Sequence, residues 1–334
     1  MKYVYFIGVD VSKNTLDLAL RKGKELISHE KIGNDLASIK KYLKCLKAQL
    51  GLTLDNTLFC MEHTGIYNNP LLYHLHRVGG NVWLESATHI KYSLGNIRGK
   101  NDKLDAIRIS EFAFRNRDDV KLWQPKREVV KRLQHLTTLR GRMISARKML
   151  KTPLIEQDGY VDKQLTNLEK KLSLRAFNSI DATIEKIEKE IQVIIKSDNE
   201  LLHLFKIVTS VQGVGKETAI NVIITTNEFK DITDPGKYAC YAGVVPFSRE
   251  SGLFKGKAKV SHMANKKIKT LLHMAALTAI MYNKDLKQYY DRKVAEGKNK
   301  MVIINAVRNK LVHRIFACVR NNREYENNYM TTLA

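Results

Sequence analysis

The first third of the chain alternates short β-rich runs with amphipathic segments, and this order limits the folds that it can adopt. Three runs of β-branched and aromatic residues, at 3–9, 15–20 and 25–31, are separated by small turns. Runs of this length and spacing predict an antiparallel meander that opens a sheet. A helix is predicted from Asn34, because apolar residues recur at helical spacing on one face and lysines occupy the other. The apolar residues are Leu36, Ile39, Leu43, Leu46 and Leu50.

The segments that follow continue this alternation. The pattern predicts a strand at 57–61, a helix near 70–77, a short strand at 81–84 and a helix at about 103–115. The resulting order, βββαβαβα, is that of the ribonuclease H-like fold. We therefore predict a RuvC-like α/β domain over residues 1–125.

Acidic residues stand where two of these strands should end. Asp10 ends the apolar run in YFIGVDVSK, and Glu62 ends the run in TLFCMEHTG. Because the first and fourth strands are neighbours in this fold, we expect Asp10 and Glu62 to converge. Asp102 and Asp105, in GKNDKLDA, are three residues apart at a predicted helix start and therefore share one helix face.

These four carboxylates form a candidate metal site. Carboxylate oxygens suit Mg²⁺ or Mn²⁺, hard ions that keep water and phosphate oxygens as their remaining ligands. Without a cation the carboxylates would repel one another and a phosphate. The alternative for each acid taken alone is a solvated carboxylate, and for Asp102 in particular a cap of the helix that follows.

The excess of basic residues predicts a nucleic-acid partner. Lys and Arg number 57 against 34 Asp and Glu, the formal net charge is +23, and the pI is about 9.7. A merely basic protein, such as a ribosome-associated or secreted factor, is the alternative. No apolar stretch approaches the roughly 20 residues of a membrane helix and no signal-peptide pattern is present, so we expect a cytoplasmic protein without a membrane partner. The four cysteines are far apart, which disfavours a zinc knuckle or a disulfide framework.

The rest of the chain is predicted as two further segments. Residues 126–204 carry apolar residues at three- and four-residue steps, which predicts long helices in a hairpin or coiled coil. Residues 205–334 are predicted as a mostly α-helical domain with a helix-hairpin-helix-like segment and, after Pro246, a Ser/Gly/Lys loop before a helix resumes around Lys266. In that segment, Gly213 and Gly215 permit a tight turn, and Lys216 adds charge where a helix N-terminus can hold a phosphate. An ordinary connection between two helices is the alternative.

Together these motifs resemble the DEDD transposases of insertion sequences, of the insertion sequence 110 type and related to the Piv and MooV DNA invertases. GVDVSK, E-x-T-G and K-N-D-x-x-D-A match the family's catalytic tetrad in order and spacing, at Asp10, Glu62, Asp102 and Asp105. The GVG segment and the stretch Y-x-G-x-x-P followed by SG match its C-terminal transposase domain. The resemblance covers nearly the whole chain and implies an enzyme that cleaves and exchanges DNA strands.

The resemblance also implies features that no pattern in the chain supplies. The serine of the family's SG pair is a nucleophile, and that position here is Ser251, so a phosphoserine-linked DNA intermediate is implied. A serine hydroxyl is a poor nucleophile at neutral pH, so the tetrad's metal would have to assist it on the same phosphate. The implied partners are donor and target DNA, a structured bridge RNA that guides the choice of both, and copies of the chain in a dimer to tetramer.

The sequence departs from the family downstream of Ser251. Leu253 stands in place of a second glycine, and residues 262–264 replace a Lys-Arg-Gly turn. Ser248 and Ser261 are competing serines, and a hydroxyl that satisfies loop backbone is the alternative role of Ser251. Five lysines are candidates for contacting nucleic acid at the scissile phosphate: Lys255, Lys257, Lys259, Lys266 and Lys267.

Two other functions remain open at this point. A RuvC-like endonuclease would use the acids without the serine, and a non-catalytic RNA- or DNA-binding protein would keep the fold only for its surface. The acidic set disfavours the binding protein, which would gain from replacing acids by lysine. GVDVSK also resembles the first phosphate-binding turn of sugar kinases, but the glycine-rich second and third phosphate loops are absent from the sequence.

Overall fold

The computed structural model describes residues 3–50, 52–95, 99, 101–251, 254–261 and 263–326 of the chain. Its contacts divide the chain into two compact units, with the boundary between Pro125 and Lys126. The second unit contains both of the segments that the sequence pattern separates at residue 205. No helix in the described ranges combines the length and apolar composition that crossing a membrane requires.

A five-stranded mixed sheet forms the centre of the first unit, in the order β3-β2-β1-β4-β5. β1 pairs antiparallel with β2, and β2 with β3, whereas β1–β4 and β4–β5 are parallel pairs. The predicted α/β class and the predicted contact between the first and fourth strands are thus confirmed. The strands are β1 (Tyr5–Val11), β2 (Thr15–Lys22), β3 (Glu25–Gly33), β4 (Thr57–Glu62) and β5 (Asn81–Glu85).

Helices cover both faces of this sheet, which is why β1 is apolar on both sides. Ile7 and Val9 pack into one core with α1 and α2, while Phe6 packs into the other with α3 and α4. α3 was not predicted. This helix has only seven residues. Its N-cap is Ser86, whose Oγ accepts a hydrogen bond from the backbone N–H of His89. The helices are α1 (Leu36–Leu50), α2 (Asn69–Arg77), α3 (Ala87–Ser93) and α4 (Asp102–Arg115).

Gly8 lets α4 lie directly on β1. A Cβ atom at this position would be 2.1 Å from the backbone N of Ser110 and 2.3 Å from the backbone O of Ala106. Both distances are far below any real carbon contact, so only glycine fits between the strand and the helix. This close approach places the first turn of α4 over the end of β1.

The second unit is mostly helical. Leu133 of α5 and Ile191 of α6 share one hydrophobic core with Ile220 of α8 and Leu311 of α12, so the long helical hairpin and the C-terminal helices are packed together. The helices are α5 (Glu128–Glu156), α6 (Lys163–Ser197), α7 (Asn199–Ser210), α8 (Lys216–Thr226), α9 (Pro235–Tyr241), α10 (Lys266–Tyr282), α11 (Lys284–Ala295) and α12 (Lys300–Arg320).

A two-stranded hairpin interrupts these helices where the sequence pattern predicts a Ser/Gly/Lys loop after Pro246. β6 (Pro246–Ser251) pairs antiparallel with β7 (Phe254–Val260). The prediction of a loop was wrong, because the lysines of FKGKAKV alternate with small and apolar residues at the two-residue period of a strand.

Candidate active site

The carboxylates of the first unit form a row across the sheet, on the face that α4 covers. Asp10 follows Gly8 on this face of β1, and Asp17 of β2 lies directly opposite Asp10 in the register. On the other side, Val9 pairs with Met61, which places Glu62 of β4 next to Asp10. Glu62 in turn pairs with Glu85 of β5. We call Asp17, Asp10, Glu62 and Glu85 the acidic row.

Lys31 of β3 closes one end of the acidic row. It pairs with Asp17 in the sheet register, and its Nζ lies 3.2 Å from Asp17 Oδ2 and 3.1 Å from Asp102 Oδ2. The Asp17 side chain is buried, and His29 Nε2 contacts its other oxygen at 3.0 Å. Lys31 therefore connects the row to the start of α4.

The first turn of α4 supplies Asp102 and Asp105. Asn101 caps the helix, since its Oδ1 accepts a hydrogen bond of 2.8 Å from the backbone N–H of Leu104. Asp102 is therefore not the capping residue, which removes one alternative role for it. Asp105 accepts a hydrogen bond of 2.8 Å from Arg108 Nη1, one turn further along the helix.

The raised pKa of Asp10 reflects its burial and the neighbouring carboxylates of the sheet and of α4. Burial and four neighbouring negative charges raise the pKa of Asp10 from the usual 3.8 to about 6. The charges are those of Asp105, Asp102, Glu62 and Asp17. All four acids of the sequence-predicted tetrad therefore share one electrostatic field, together with a fifth, Asp17.

The donor set suits a hard divalent cation, because it consists of carboxylates whose mutual repulsion a cation would relieve. Within the described ranges, however, no three His, Cys, Asp or Glu side chains lie close enough together to ligate one ion. Asp102 and Asp105 instead contact the cations of Lys31 and Arg108. The carboxylates thus fit a divalent ion by their chemistry and by their position at one edge of the sheet. Their side chains are not arranged around a common point as ligands of one ion.

Asp17, Glu85, Lys31 and Gly8 were missed by the sequence analysis. Asp17 lies inside the run TLDLAL and Glu85 ends the short run NVWLE, so neither stands out without the strand register. The available signal was the second acid at a strand end, since Glu85 ends β5 as Glu62 ends β4.

Ser251 is the last residue of β6 and is exposed. It pairs with Phe254 across the hairpin, and the residues between them lie outside the described ranges. Ser261 Oγ accepts a hydrogen bond of 3.2 Å from the backbone N–H of Met263, whereas the side chain of Ser248 is outside the described part. Of the two competing serines, Ser261 therefore has a structural role.

The predicted lysines lie on two elements, β7 and the start of α10. The side chains of Lys255, Lys257 and Lys259 lie outside the described part of the chain, although their backbone forms β7. Lys266 begins α10 and is exposed. Lys267 Nζ lies 3.6 Å from Glu217 Oε1 and is therefore partly neutralised.

The GVG turn connects α7 to α8. Gly213 has a φ of +93°, and a Cβ there would lie 2.6 Å from the backbone O of Ala275. This glycine is required by packing against α10, whatever else the turn does. Gly215 is the N-cap residue of α8, and Lys216 is exposed in its first turn.

Comparisons with known proteins cover both units. A family described as a transposase, with a name that refers to the DEDD transposases of IS110, matches residues 7–157. The family described as Transposase IS116/IS110/IS902 matches residues 205–291. The tetrad lies in the first match and Ser251 in the second.

Several relatives are similar at lower identity. The "Pilin gene-inverting protein" of Moraxella bovis is 24% identical over 344 residues, which cover 96% of this chain and 97% of that protein. The protein of the same name from Moraxella lacunata is 23% identical over 344 residues, with the same coverage. The "Insertion element IS116 uncharacterized 44.8 kDa protein" of Streptomyces clavuligerus is 24% identical over 145 residues, 43% of this chain and 35% of that protein.

Proposed function

We propose that this chain is a transposase of the IS116/IS110/IS902 type, which the two family matches support, and that it cleaves and rejoins DNA strands by metal-dependent chemistry through a phosphoserine intermediate. The observation that supports this proposal most is the acidic row under α4, with the pKa of Asp10 raised to about 6 by burial and neighbouring carboxylates. A site of this kind is costly for a fold and is typical of a functional centre. The name of the Moraxella relatives also describes the inversion of a DNA segment.

The metal would be Mg²⁺ or Mn²⁺, held by Asp10, Glu62, Asp102 and Asp105. When bound, such an ion neutralises the charge of a phosphodiester and polarises its oxygens. Lys31 and Arg108 would give up their contacts with Asp102 and Asp105 as these two carboxylates turn to the ion. Asp17, which Lys31 and His29 also contact, would stay in place as a fixed negative charge beside Asp10.

Ser251 is the proposed nucleophile. Its Oγ forms a bond to the phosphorus of the scissile phosphodiester while the bond from phosphorus to the leaving deoxyribose oxygen breaks. The Oγ proton is lost and the leaving oxygen gains one. The phosphodiester energy is kept in the serine ester, so a deoxyribose hydroxyl can reverse the reaction and join the strand elsewhere. Exposure of Ser251 at the end of β6 is compatible with attack on a large substrate.

The proposed partners follow from the family resemblance of the motifs. They are donor and target DNA, a structured bridge RNA that selects both, and further copies of this chain in a dimer to tetramer. The candidate nucleic-acid contacts in the second unit are Gly213, Gly215, Lys216 and Lys266, together with the partly neutralised Lys267 and the lysines of β7.

The test is to trap the covalent intermediate. End-labelled DNA of the insertion-element termini, with RNA transcribed from the element, is incubated with the full chain in Mg²⁺ or in EDTA and separated on a denaturing gel. We expect a protein–DNA adduct in Mg²⁺ that is absent with EDTA, with Ser251→Ala and with Asp10→Asn. Ser248→Ala and Ser261→Ala, in the same hairpin and the loop after it, are matched controls and should keep the adduct.

Each other result points to a different function. Free DNA ends without an adduct would indicate a hydrolytic RuvC-like endonuclease. An adduct that persists in Ser251→Ala would show that another residue is the nucleophile. Tight binding without any cleavage, under conditions where the family's relatives act, would indicate a non-catalytic nucleic-acid-binding protein.

A further inference from the structure

A groove lies between α1 and α2, on the face of the sheet opposite the acidic row. One cavity of about 520 Å³ is lined by residues that include Leu36, Ile66, Tyr73 and Arg77. A second cavity of about 260 Å³ is lined by Lys40, Lys44 and Lys47, among others. His74 lines both cavities, so the two form one groove along the helices.

The groove starts at the edge of the sheet where the acids lie. α2 follows the end of β4 through a 3₁₀ turn, Gly65–Asn68, and α1 begins shortly after the end of β3. Asn68 Nδ2 donates a hydrogen bond of 2.8 Å to the backbone O of Glu62. Asn34 Nδ2 donates to the backbone O atoms of Ser12 and Tyr67, at 2.9 and 3.0 Å. These bonds fix the upper end of the groove to the strand ends that carry Asp10 and Glu62.

The walls of the groove are basic. Neither α1 nor α2 contains an Asp or a Glu, and Lys40, Lys44 and Lys47 are exposed. Asp35, just before α1, is already engaged, since its carboxylate accepts hydrogen bonds from the backbone N–H groups of Ala37 and Ser38 and from the Ser38 hydroxyl. A row of three lysines one helical turn apart matches a line of phosphates.

At the centre of the groove, Arg77 has no carboxylate partner among the described residues and contacts His74 instead. His74 is 7% exposed, and burial together with the charges of Arg77 and Lys40 lowers its pKa. A neutral His74 accepts a hydrogen bond at Nδ1 from Arg77 Nη2, 3.1 Å away. This contact holds the guanidinium at the groove without cancelling its charge.

The floor of the upper part is apolar and includes an aromatic ring. Ile66 is 74% and Tyr73 38% exposed, so both side chains are accessible to a ligand in the groove. The Tyr73 ring packs edge-on against Trp123, with centroids 5.5 Å apart, so its orientation is fixed. A duplex keeps its base faces stacked inside the helix, whereas an unpaired strand offers base faces that can stack on aromatic rings.

From this combination we infer that the α1–α2 groove binds the single DNA strand that leaves the acidic edge after strand separation. The strand's phosphates lie along Lys40, Lys44 and Lys47, and its bases contact Tyr73 and Ile66. The inference rests on the proposed function for the identity of the strand, because the edge at which the groove begins is the proposed cleavage site.

The first experiment measures binding of the full chain to a fluorescent single-stranded 20-mer and to the matching duplex, over a range of salt concentrations. The variant Lys40→Ala/Lys44→Ala/Lys47→Ala should weaken single-strand binding by about tenfold or more and lower the salt slope by about 2. The control Lys24→Ala/Lys91→Ala/Lys121→Ala removes the same charge from other exposed positions. It should change the affinity for the single strand by less than about twofold. Duplex binding should change little in either variant.

The second experiment tests the aromatic floor. Tyr73→Leu keeps the apolar contact with Trp123 but removes the stacking ring, and should weaken single-strand binding by about fivefold without changing the salt slope. A DNA strand containing 5-iodo-deoxyuridine should crosslink, on irradiation, to the peptide that contains Tyr73. The urea midpoint of each variant, followed by tryptophan fluorescence, confirms folding of the first unit, which contains both tryptophans, Trp83 and Trp123.

Several outcomes would overturn the inference. Equal losses in the groove and control variants would show a response to net charge alone. Equal losses for single strand and duplex would remove the single-strand assignment, and a loss confined to an RNA 20-mer would assign the groove to RNA. A changed oligomeric state in light scattering, with unchanged DNA binding, would assign it to a second copy of the chain. Because these measurements need no cleavage, they are independent of the adduct test.

Discussion

The acidic row and the Ser251 hairpin are built in opposite ways. The row depends on four paired strands, on a buried Asp17 and on a helix that touches β1 at Gly8. The hairpin consists of two strands that pair only with each other among the described residues, with Ser251 exposed at the end of one of them. Like charges can be held close together only on a rigid scaffold, whereas a nucleophile needs access to a large substrate.

The largest effect that this comparison predicts is that of Gly8→Ala. The new Cβ would lie 2.1 Å from the backbone of α4, so the helix must move away from β1 and take Asp102 and Asp105 with it. We expect a loss of about 3 kcal/mol in the free energy of unfolding of the first unit. Urea unfolding followed by tryptophan fluorescence measures this unit specifically, because both tryptophans lie in it.

Gly141→Ala is the contrasting glycine substitution, in the second unit, and its effect is followed by far-UV circular dichroism in urea. Gly141 lies in α5 with open space around the position of a Cβ, and alanine there should stabilise the helix by about 0.5–1 kcal/mol. If Gly8→Ala left the free energy of unfolding of the first unit unchanged, the close contact between β1 and α4 would not be what fixes the acids.

Asp10→Asn is expected to remove activity and yet stabilise the first unit. The folded-state pKa of about 6 lies above the ordinary value of 3.8, so ionised Asp10 opposes folding above pH 6. After allowance for solvent screening, the gain on removing its charge should be about 1–2 kcal/mol at pH 8. The gain should shrink as the pH falls through 6 and vanish near 3.8, where Asp10 is protonated in the folded and unfolded states.

Asp35→Asn is expected to change the free energy of unfolding in the opposite direction to Asp10→Asn under the same conditions. Hydrogen bonds led by the backbone N–H of Ser38 hold the pKa of Asp35 below its usual value, so its charge favours folding above pH 4 and the benefit is lost as the pH falls. The substitution should therefore destabilise the unit at pH 8. Urea midpoints at pH 8 and pH 5 separate the two cases, and equal shifts for both variants would contradict the proposed repulsion at Asp10.

Local patterns were enough to predict the parts of the site that stand at the ends of elements. Asp10 and Glu62 end apolar runs, and Asp102 and Asp105 begin a helix, so their placement follows from where those elements end. Asp17 is in the middle of a strand, and only the antiparallel register of β1 and β2 puts it beside Asp10. The closeness of α4 at Gly8 is a tertiary contact that leaves no trace in the local pattern.

The second unit shows more clearly what local sequence patterns cannot predict. The charge of the lysines in FKGKAKV suggests a basic loop, whereas their two-residue alternation with Phe254, Gly256 and Ala258 is that of a strand. The shared core of the long hairpin and the C-terminal helices joins residues far apart in sequence, such as Leu133 and Leu311, and periodicity gives only the apolar face of each helix. Neither the pairing of faces nor the strand register can be read from one element at a time.

The smallest expected effect is that of Ser251→Ala on stability. It tests the Ser251 hairpin, the second of the two regions compared. Ser251 is exposed and ends a strand of an isolated hairpin, so its loss should change the free energy of unfolding by less than about 0.5 kcal/mol. Far-UV circular dichroism in urea suits this measurement, because the second unit is mostly helical. A clear destabilisation would mean that the hydroxyl satisfies buried backbone groups, and a missing adduct in Ser251→Ala would then be explained by unfolding rather than by chemistry.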